Sequence, residues 1–249
     1  MKLFFSLVVA VLLVPVASAD DHVEGGKIRV LMMTGQNNHD WKKTTPALQA
    51  VIESSGRFEL VIDETPWEFG PDAFEGFDVI FSNWSVWPKV DSDPWSDETK
   101  AAFLAHIGSG KGLLVMHAGS SVHYPWDEFQ ALVGKTWIKK KTWHGKKHEF
   151  DVSFPTDHPI TRGVEPFTIF DELWRNMIPT GPFETLAVAD TSNDKRPGPV
   201  EPMLMTTSLG DGRGVNLVLG HDTRSIGNEG FQKLLLRSLE WAATGDVAE

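Results

Sequence analysis

Apolar residues fall along the chain in short blocks that switch between two periods. Residues 27–35 (KIRVLMMTG) form an almost continuous apolar run stopped by glycine, the pattern of a strand buried on both faces. Residues 44–54 then space their apolar positions three and four apart, which predicts a helix with Pro46 tolerated in its first turn. Strands are predicted over 58–63 and 77–84 (FDVIFSNW), a helix over 96–107 opened by the SDET cap, and a strand over 112–118 (GLLVMHA). A helix is predicted over 126–133. Beyond it the period shortens. HEFDVSF, ETLAVAD and PMLMTTS read as strands, and Gly210-Asp211-Gly212 joins the last of them to GVNLVLG as a hairpin. Residues 228–243 close the chain as an amphipathic helix, and the polar stretch 190–201 (DTSNDKRPGPVE) reads as an exposed loop. Alternating strands and helices in the first half imply an α/β fold. Its open, mostly parallel sheet is doubly wound, with helices on both faces and a β-rich second half.

The first nineteen residues stand outside that pattern. Lys2, the apolar run 3–16 and Ala17-Ser18-Ala19 have the layout of a cleavable signal peptide, and the run is too short for a membrane span. The expected organisation is a signal peptide (1–19), a short tail (20–26) and one α/β domain (27–245). Export to a periplasm or beyond, without lasting membrane association, is the matching expectation. Composition narrows the partners further. With 34 acidic against 23 basic residues and a formal charge of −11, the chain lacks the basic footprint that nucleic acid requires. It has no cysteine, so a thiolate nucleophile is excluded and any metal must be held by His, Asp or Glu.

In a sheet of this kind, ligands bind beyond the carboxyl ends of the strands. Asn38, His39, Asp40 and Trp41 follow the first predicted strand, and Trp84 and Trp87 the third. His117, Ser120, Ser121 and His123 follow the fourth, and His221 and Asp222 the hairpin. His39, His117 and His221 are therefore expected to converge, with His144 and His148 as further candidates. Two roles are open to them: holding one divalent ion, zinc or similar, with a vacant position for water or substrate, or metal-free acid–base catalysis. Asp171 and Glu172 are the candidate catalytic carboxylates. Neighbours on a strand point to opposite faces, so both cannot serve one paired site. Trp41, Trp84, Trp126 and Trp143, with Asn38, Ser120 and Asp222, are the expected small-saccharide contacts, because indole faces suit the C–H face of a pyranose. TGQNNHD lacks the second and third glycines of the dinucleotide fingerprint, so no nucleotide cofactor is expected.

The segments TGQNNHDW, GLLVMHAGSS, TDHPITRGV, FDELW and RGVNLVLGHD, in that order, resemble the ThuA-like (trehalose-utilisation) family along nearly the whole of residues 27–245. The resemblance implies the flavodoxin-like sheet of class I glutamine amidotransferases without their chemistry. Where an amidotransferase carries its nucleophilic cysteine, this chain reads Met116-His117-Ala118-Gly119, and the amidotransferase histidine matches His221. The chain departs from the family pattern at Leu173-Trp174 and at Val164-Glu165. The resemblance further implies a saccharide-processing enzyme, hydrolytic or eliminative, acting on a glycoside or disaccharide, including 3-keto sugars. The alternative is a non-catalytic carbohydrate-binding or scaffold protein on the same fold.

Overall fold

Side chains of strand β1 (Ile28–Met33) alternate between two cores, and the rest of the fold is layered on that alternation. A computed structural model describes residues 26–89, 93–123, 125–192 and 194–248, so the expected signal peptide lies outside the described residues. Helix α1 (Trp41–Ser54) leads to β2 (Phe58–Asp63) and β3 (Val79–Ser82); α2 (Asp97–Gly108) leads to β4 (Gly112–Met116) and α3 (Asp127–Val133). The β-rich half holds the short pairs β5 (Lys135–Thr136), β6 (Trp143–His144), β9 (Trp174–Arg175) and β10 (Ile178–Pro179). Its longer strands are β7 (His148–Ser153), β8 (Phe167–Asp171), β11 (Glu184–Ala189), β12 (Glu201–Leu209) and β13 (Gly212–Leu217). Helices α4 (Thr223–Ile226) and α5 (Glu229–Thr244) complete the chain.

Nine strands form the main sheet in the order β2-β1-β3-β4-β13-β12-β11-β7-β8. From β2 to β13 all neighbours are parallel, and from β13 to β8 all are antiparallel. On one face Val30, Met32, Leu114 and Met116 pack under Leu48 and Ile52 of α1 and Leu234, Leu235 and Leu239 of α5. On the other, Leu31, Met33, Leu113 and Val115 pack under Phe103 and Ile107 of α2 and Phe129 and Leu132 of α3. Burying each such side chain stabilises by roughly 1.5–3 kcal/mol, so both faces need their helices.

Two differences from the sequence reading bear on function. Helix α1 begins at Trp41, three residues early, because the amides of Lys43 and Thr44 already bond to Asp40 O. His39 therefore sits one residue before the Asp40 N-cap of a helix. The strand expected to run to residue 118 stops at Met116, because His117 has φ +43°, a left-handed conformation that no strand can continue. The turn that follows leaves no room for a side chain at Gly119, where a Cβ would lie 2.2 Å from Ser82 O.

The far edge of the sheet carries the remaining surprise. Four strand spacings separate β13 from β8, about 19 Å in a flat sheet, yet Asp171 at the end of β8 touches the loop after β13. Two features close that gap. The β11–β12 ladder shifts register between Thr185 and Val188, which adds local twist. Strand β7 pairs with β11 only through Ser153 and Val152, so the β7–β8 hairpin runs past the carboxyl edge of the sheet. The hairpin folds over that edge and brings Glu172 with it.

Candidate functional site

Four side chains meet beyond the carboxyl ends of β1, β4, β13 and β8. His39, His117, Glu172 and His221 each offer a ligand atom, and these atoms lie within 4.8 Å of one another. The ring of His39 lies 4.8 Å from that of His117 and 4.4 Å from that of His221. Glu172 reaches His117 Nε2 at 3.7 Å and His221 Nε2 at 3.6 Å. Backbone bonds fix each group. His39 N–H donates to Asn37 Oδ1, and Asn37 in turn donates to Asn83 O. His117 Nδ1 lies 2.6 Å from Val218 O, which obliges Nδ1 to carry the proton and leaves the Nε2 lone pair for the centre. Gly220, at φ +107°, turns the chain just before His221.

Electrostatics separate the four. Burial, reinforced by the neighbouring His117 and His221, pushes the His39 pKa down to about 2, so this ring is neutral throughout the physiological range. Burial also lowers His221, helped by His117. For His117 burial acts downward, but Glu172, Asp171 and the Val218 carbonyl together outweigh it and hold the ring above its ordinary value. Burial would raise Glu172; its contacts with His117, His144 and Trp174 instead hold it at about 2.

His39 Nδ1, His117 Nε2 and His221 Nδ1 are all buried and have no hydrogen-bond partner. His221 Nδ1 lies on the Asp222 side of its ring, 3.6 Å from Asp222 Oδ2, and its Nε2 faces Glu172. Buried polar atoms are almost always paired, so the orphans of His39 and His117, side by side, need a further partner. Three imidazoles and a carboxylate are the borderline donor set of zinc, manganese or iron. The spread of up to 4.8 Å exceeds the roughly 3.3 Å edge of a tetrahedron with bonds of about 2.0–2.1 Å. Small side-chain rotations make up that difference. The cluster can therefore hold a divalent ion.

The centre opens into a cleft walled by Trp87, Trp137 and Trp174, with Asn38, Ala118, Ser121 and His144 between them. Trp137 stands edge-on to Trp174 at 4.8 Å, and Trp174 Nε1 donates to Glu172 Oε2 at 3.0 Å. Sequence reasoning assigned no role to Trp137 or Trp174. The signal available was an indole in a lysine-rich loop at 137, and one two residues beyond Glu172.

Several other expectations are corrected by placement. Trp84 is fully buried and Trp126 nearly so; both pack with Trp95 and Phe103 in the second core, with no face open to a ligand. Trp41 opens α1 and does not line the cleft. Ser120 is fully buried behind it, and its neighbour Ser121 takes the lining position. Trp143 points away from the centre, its indole stacked by the Arg196 guanidinium at 3.7 Å. His148 shares that outer groove and does not join the cluster. His144 does approach, but as a partner of Glu172, with Nδ1 2.9 Å from Oε1. Asp222 caps α4 and pairs with Lys147. Asp171 accepts the amides of Glu172, Gly220 and His221, so its carboxylate orients the site instead of facing a substrate.

Among solved structures, a ThuA-like protein from Parabacteroides merdae is similar, with a TM-score of 0.77 at 26% identity over 90% of this chain and 92% of its own. A second, from Bacteroides uniformis, gives 0.68 at 16% identity over 88% of this chain and 94% of its own. A β-galactosidase from Bacillus circulans sp. alkalophilus shares the fold alone: TM-score 0.54, 12% identity, 85% of this chain but 30% of the larger one. No curated protein matches the sequence. The ThuA family, described as trehalose utilisation, matches residues 29–242, and the chain belongs to that family.

Proposed function

We propose that the chain is an exported saccharide-processing enzyme whose His39, His117, His221 and Glu172 hold one divalent ion, zinc or a similar borderline metal. The substrate is a glycoside or disaccharide, including 3-keto forms, and its cleavage is hydrolytic or eliminative. The carrying observation is the convergence of three imidazoles and one carboxylate beside a tryptophan-walled cleft, with His39 Nδ1 and His117 Nε2 buried and unpartnered. Family membership supports a carbohydrate role, and the signal-like residues 1–19 support export.

A bound ion would supply Lewis acidity towards a sugar carbonyl or a water molecule. The chain's own groups account for the rest. The half-buried indoles of Trp87 and Trp137 offer faces to a sugar ring and exclude water around it, while the buried Trp174 backs the cleft and holds Glu172. His144 has Nδ1 held between Glu172 Oε1 and Gly145 O, both at 2.9 Å, which leaves Nε2 as a proton acceptor at the cleft. An eliminative route needs a base for the C–H beside the carbonyl, and a hydrolytic route needs one for water. His144 suits either.

The test is elemental analysis of the purified protein with a screen of disaccharides and their keto derivatives, before and after chelation. Expected are near-stoichiometric metal and turnover that chelation abolishes and metal restores. Full turnover in a metal-free preparation would assign the chemistry to the histidines alone. Saccharide binding without turnover of any substrate would replace the enzyme with a carbohydrate-binding protein.

A further inference from the structure

A second groove lies behind β6. Neighbours on a strand face opposite ways, and β6 divides them: His144 turns to Glu172, while Trp143 turns into a groove shared with Lys146, Lys147, Lys195 and Arg196. The groove is cationic in a chain of formal charge −11. Its one acid, Asp194, is already engaged, accepting from Arg175 Nη1 at 2.7 Å and from the Arg196 amide at 3.2 Å. Lys147 is paired with Asp222. Among the described residues, Lys146, Lys195 and the Arg196 guanidinium have no carboxylate ion-pair partner, and the Arg196 guanidinium carbon lies over the Trp143 ring, 3.7 Å from its centre.

The loop that carries two of these cations is also held in place. Arg175, with only 4% of its side chain exposed, bonds Arg196 O at 3.1 Å and Glu201 Oε1 at 3.1 Å, and so pins the loop that carries Lys195 and Arg196. A chain with surplus acids that nonetheless gathers cations without carboxylate partners in one concavity has built a local positive potential there. Arginine stacked on indole presents a planar donor fork suited to a carboxylate or sulfate.

We propose that this groove binds the oxyanion of an acidic saccharide, the carboxylate of a uronic acid or a sulfate ester. The inference rests on the reading of the neighbouring centre as saccharide-processing, and it narrows the substrate class to charged sugars. The shared β6 wall sets the anionic unit next to the unit held at the tryptophan cleft.

Calorimetric titration of the mature protein with a uronic-acid disaccharide, a sulfated disaccharide and trehalose tests this. At least one acidic ligand should bind about tenfold or more tightly than trehalose, a difference of about 1.4 kcal/mol, and the preference should shrink as salt rises. The two acidic arms tell carboxylate from sulfate. The Lys146→Glu/Lys195→Glu double variant, both positions being exposed, should abolish the preference without changing the circular dichroism spectrum. Arg196→Ala should weaken it. Equal affinity for neutral and acidic sugars, or a preference that survives the double variant, overturns the proposal. Inorganic sulfate or an acidic peptide binding as tightly as the acidic sugars overturns it too. The same titration on His117→Ala keeps the two readings apart. An acid preference there, with no turnover by the native protein, sinks only the enzyme; turnover of neutral sugars with no acid preference sinks only the groove.

Discussion

Two buried histidines, each beside a carboxylate and each with positive φ, pack against different cores of this sheet. His117 (φ +43°) is 2% exposed and faces Glu172, while His123 (φ +49°) is fully buried and lies 3.1 Å from Asp93. Each has an Nε2 without a partner. Locally they are the same object. Around His123, however, Trp84, Trp95, Trp126 and Phe129 close in with ring centroids 4.2–5.3 Å away, and Lys100 neutralises Asp93. Around His117 stand two more imidazoles and an open cleft. A strained, buried histidine–carboxylate pair therefore does not define a site; further donors and an opening to solvent do.

The largest effect that tests this contrast is on metal content. His117→Ala or His221→Ala should lower bound metal from near one equivalent to a small fraction and reduce turnover by at least about a hundredfold, a loss far out of proportion to any fall in stability. His123→Ala should leave metal content unchanged. Equal loss of metal in His123→Ala would erase the distinction. The converse holds for stability. His123→Ala opens a cavity among four aromatic rings and strips Asp93 of a partner, so it should destabilise by about 3 kcal/mol in denaturant unfolding. A cost near zero would mean that the cage is not a packing unit.

How much of this was legible in the sequence follows from where each residue gets its position. His39, His117 and His221 could be picked out because parallel strands deliver their carboxyl ends to one edge, and that rule needs only the strand order. Glu172 was a candidate by type. Its arrival depends on the β11 register shift and on the β7–β8 hairpin running past β11, which no local pattern encodes. Trp137 and Trp174 were missed for the same reason. Trp84 and Trp126 misled because a position near a strand end does not say which face of the turn an indole takes, and here the second core needed filling. His144 and His148 share a tract but part company at β6, where alternation sends the tract's side chains into two grooves.

Asp171 sharpens the comparison at a smaller scale, because it serves the metal-competent cluster without touching a ligand nitrogen. Its carboxylate accepts the amides of Gly220 at 2.7 Å and His221 at 3.2 Å, stapling the edge strand to the β13 loop. Asp171→Asn keeps the shape but offers one acceptor oxygen in place of two. Metal affinity should fall about tenfold to a hundredfold, with kcat following metal occupancy and recovering at high metal concentration. If turnover is lost and excess metal does not restore it, Asp171 acts directly on the substrate.

The smallest effect is the dependence of stability on pH in the metal-free protein. Burial pushes His123 down, more than Asp93 pulls it up, and burial likewise lowers His106 and His158. Below the ordinary histidine value of about 6.5 the unfolded chain takes up protons on these rings while the folded chain resists, so stability is lost as pH falls. His117, held above its ordinary value, contributes the opposite sign: its stabilisation is complete below about 6.5 and fades as pH rises through its folded value. Three lowered rings outside the cluster, joined by His39 and His221 within it, oppose this one raised ring. Unfolding free energy should therefore drop by at least about 1 kcal/mol between pH 7 and pH 5.5, with an unchanged denaturant slope. Histidine NMR assigns the sign residue by residue: His123 should stay neutral at pH 5.5, and a His123 that protonates near 6.5 would mean that its cage admits water and that the contrast with the His117 cleft is one of degree.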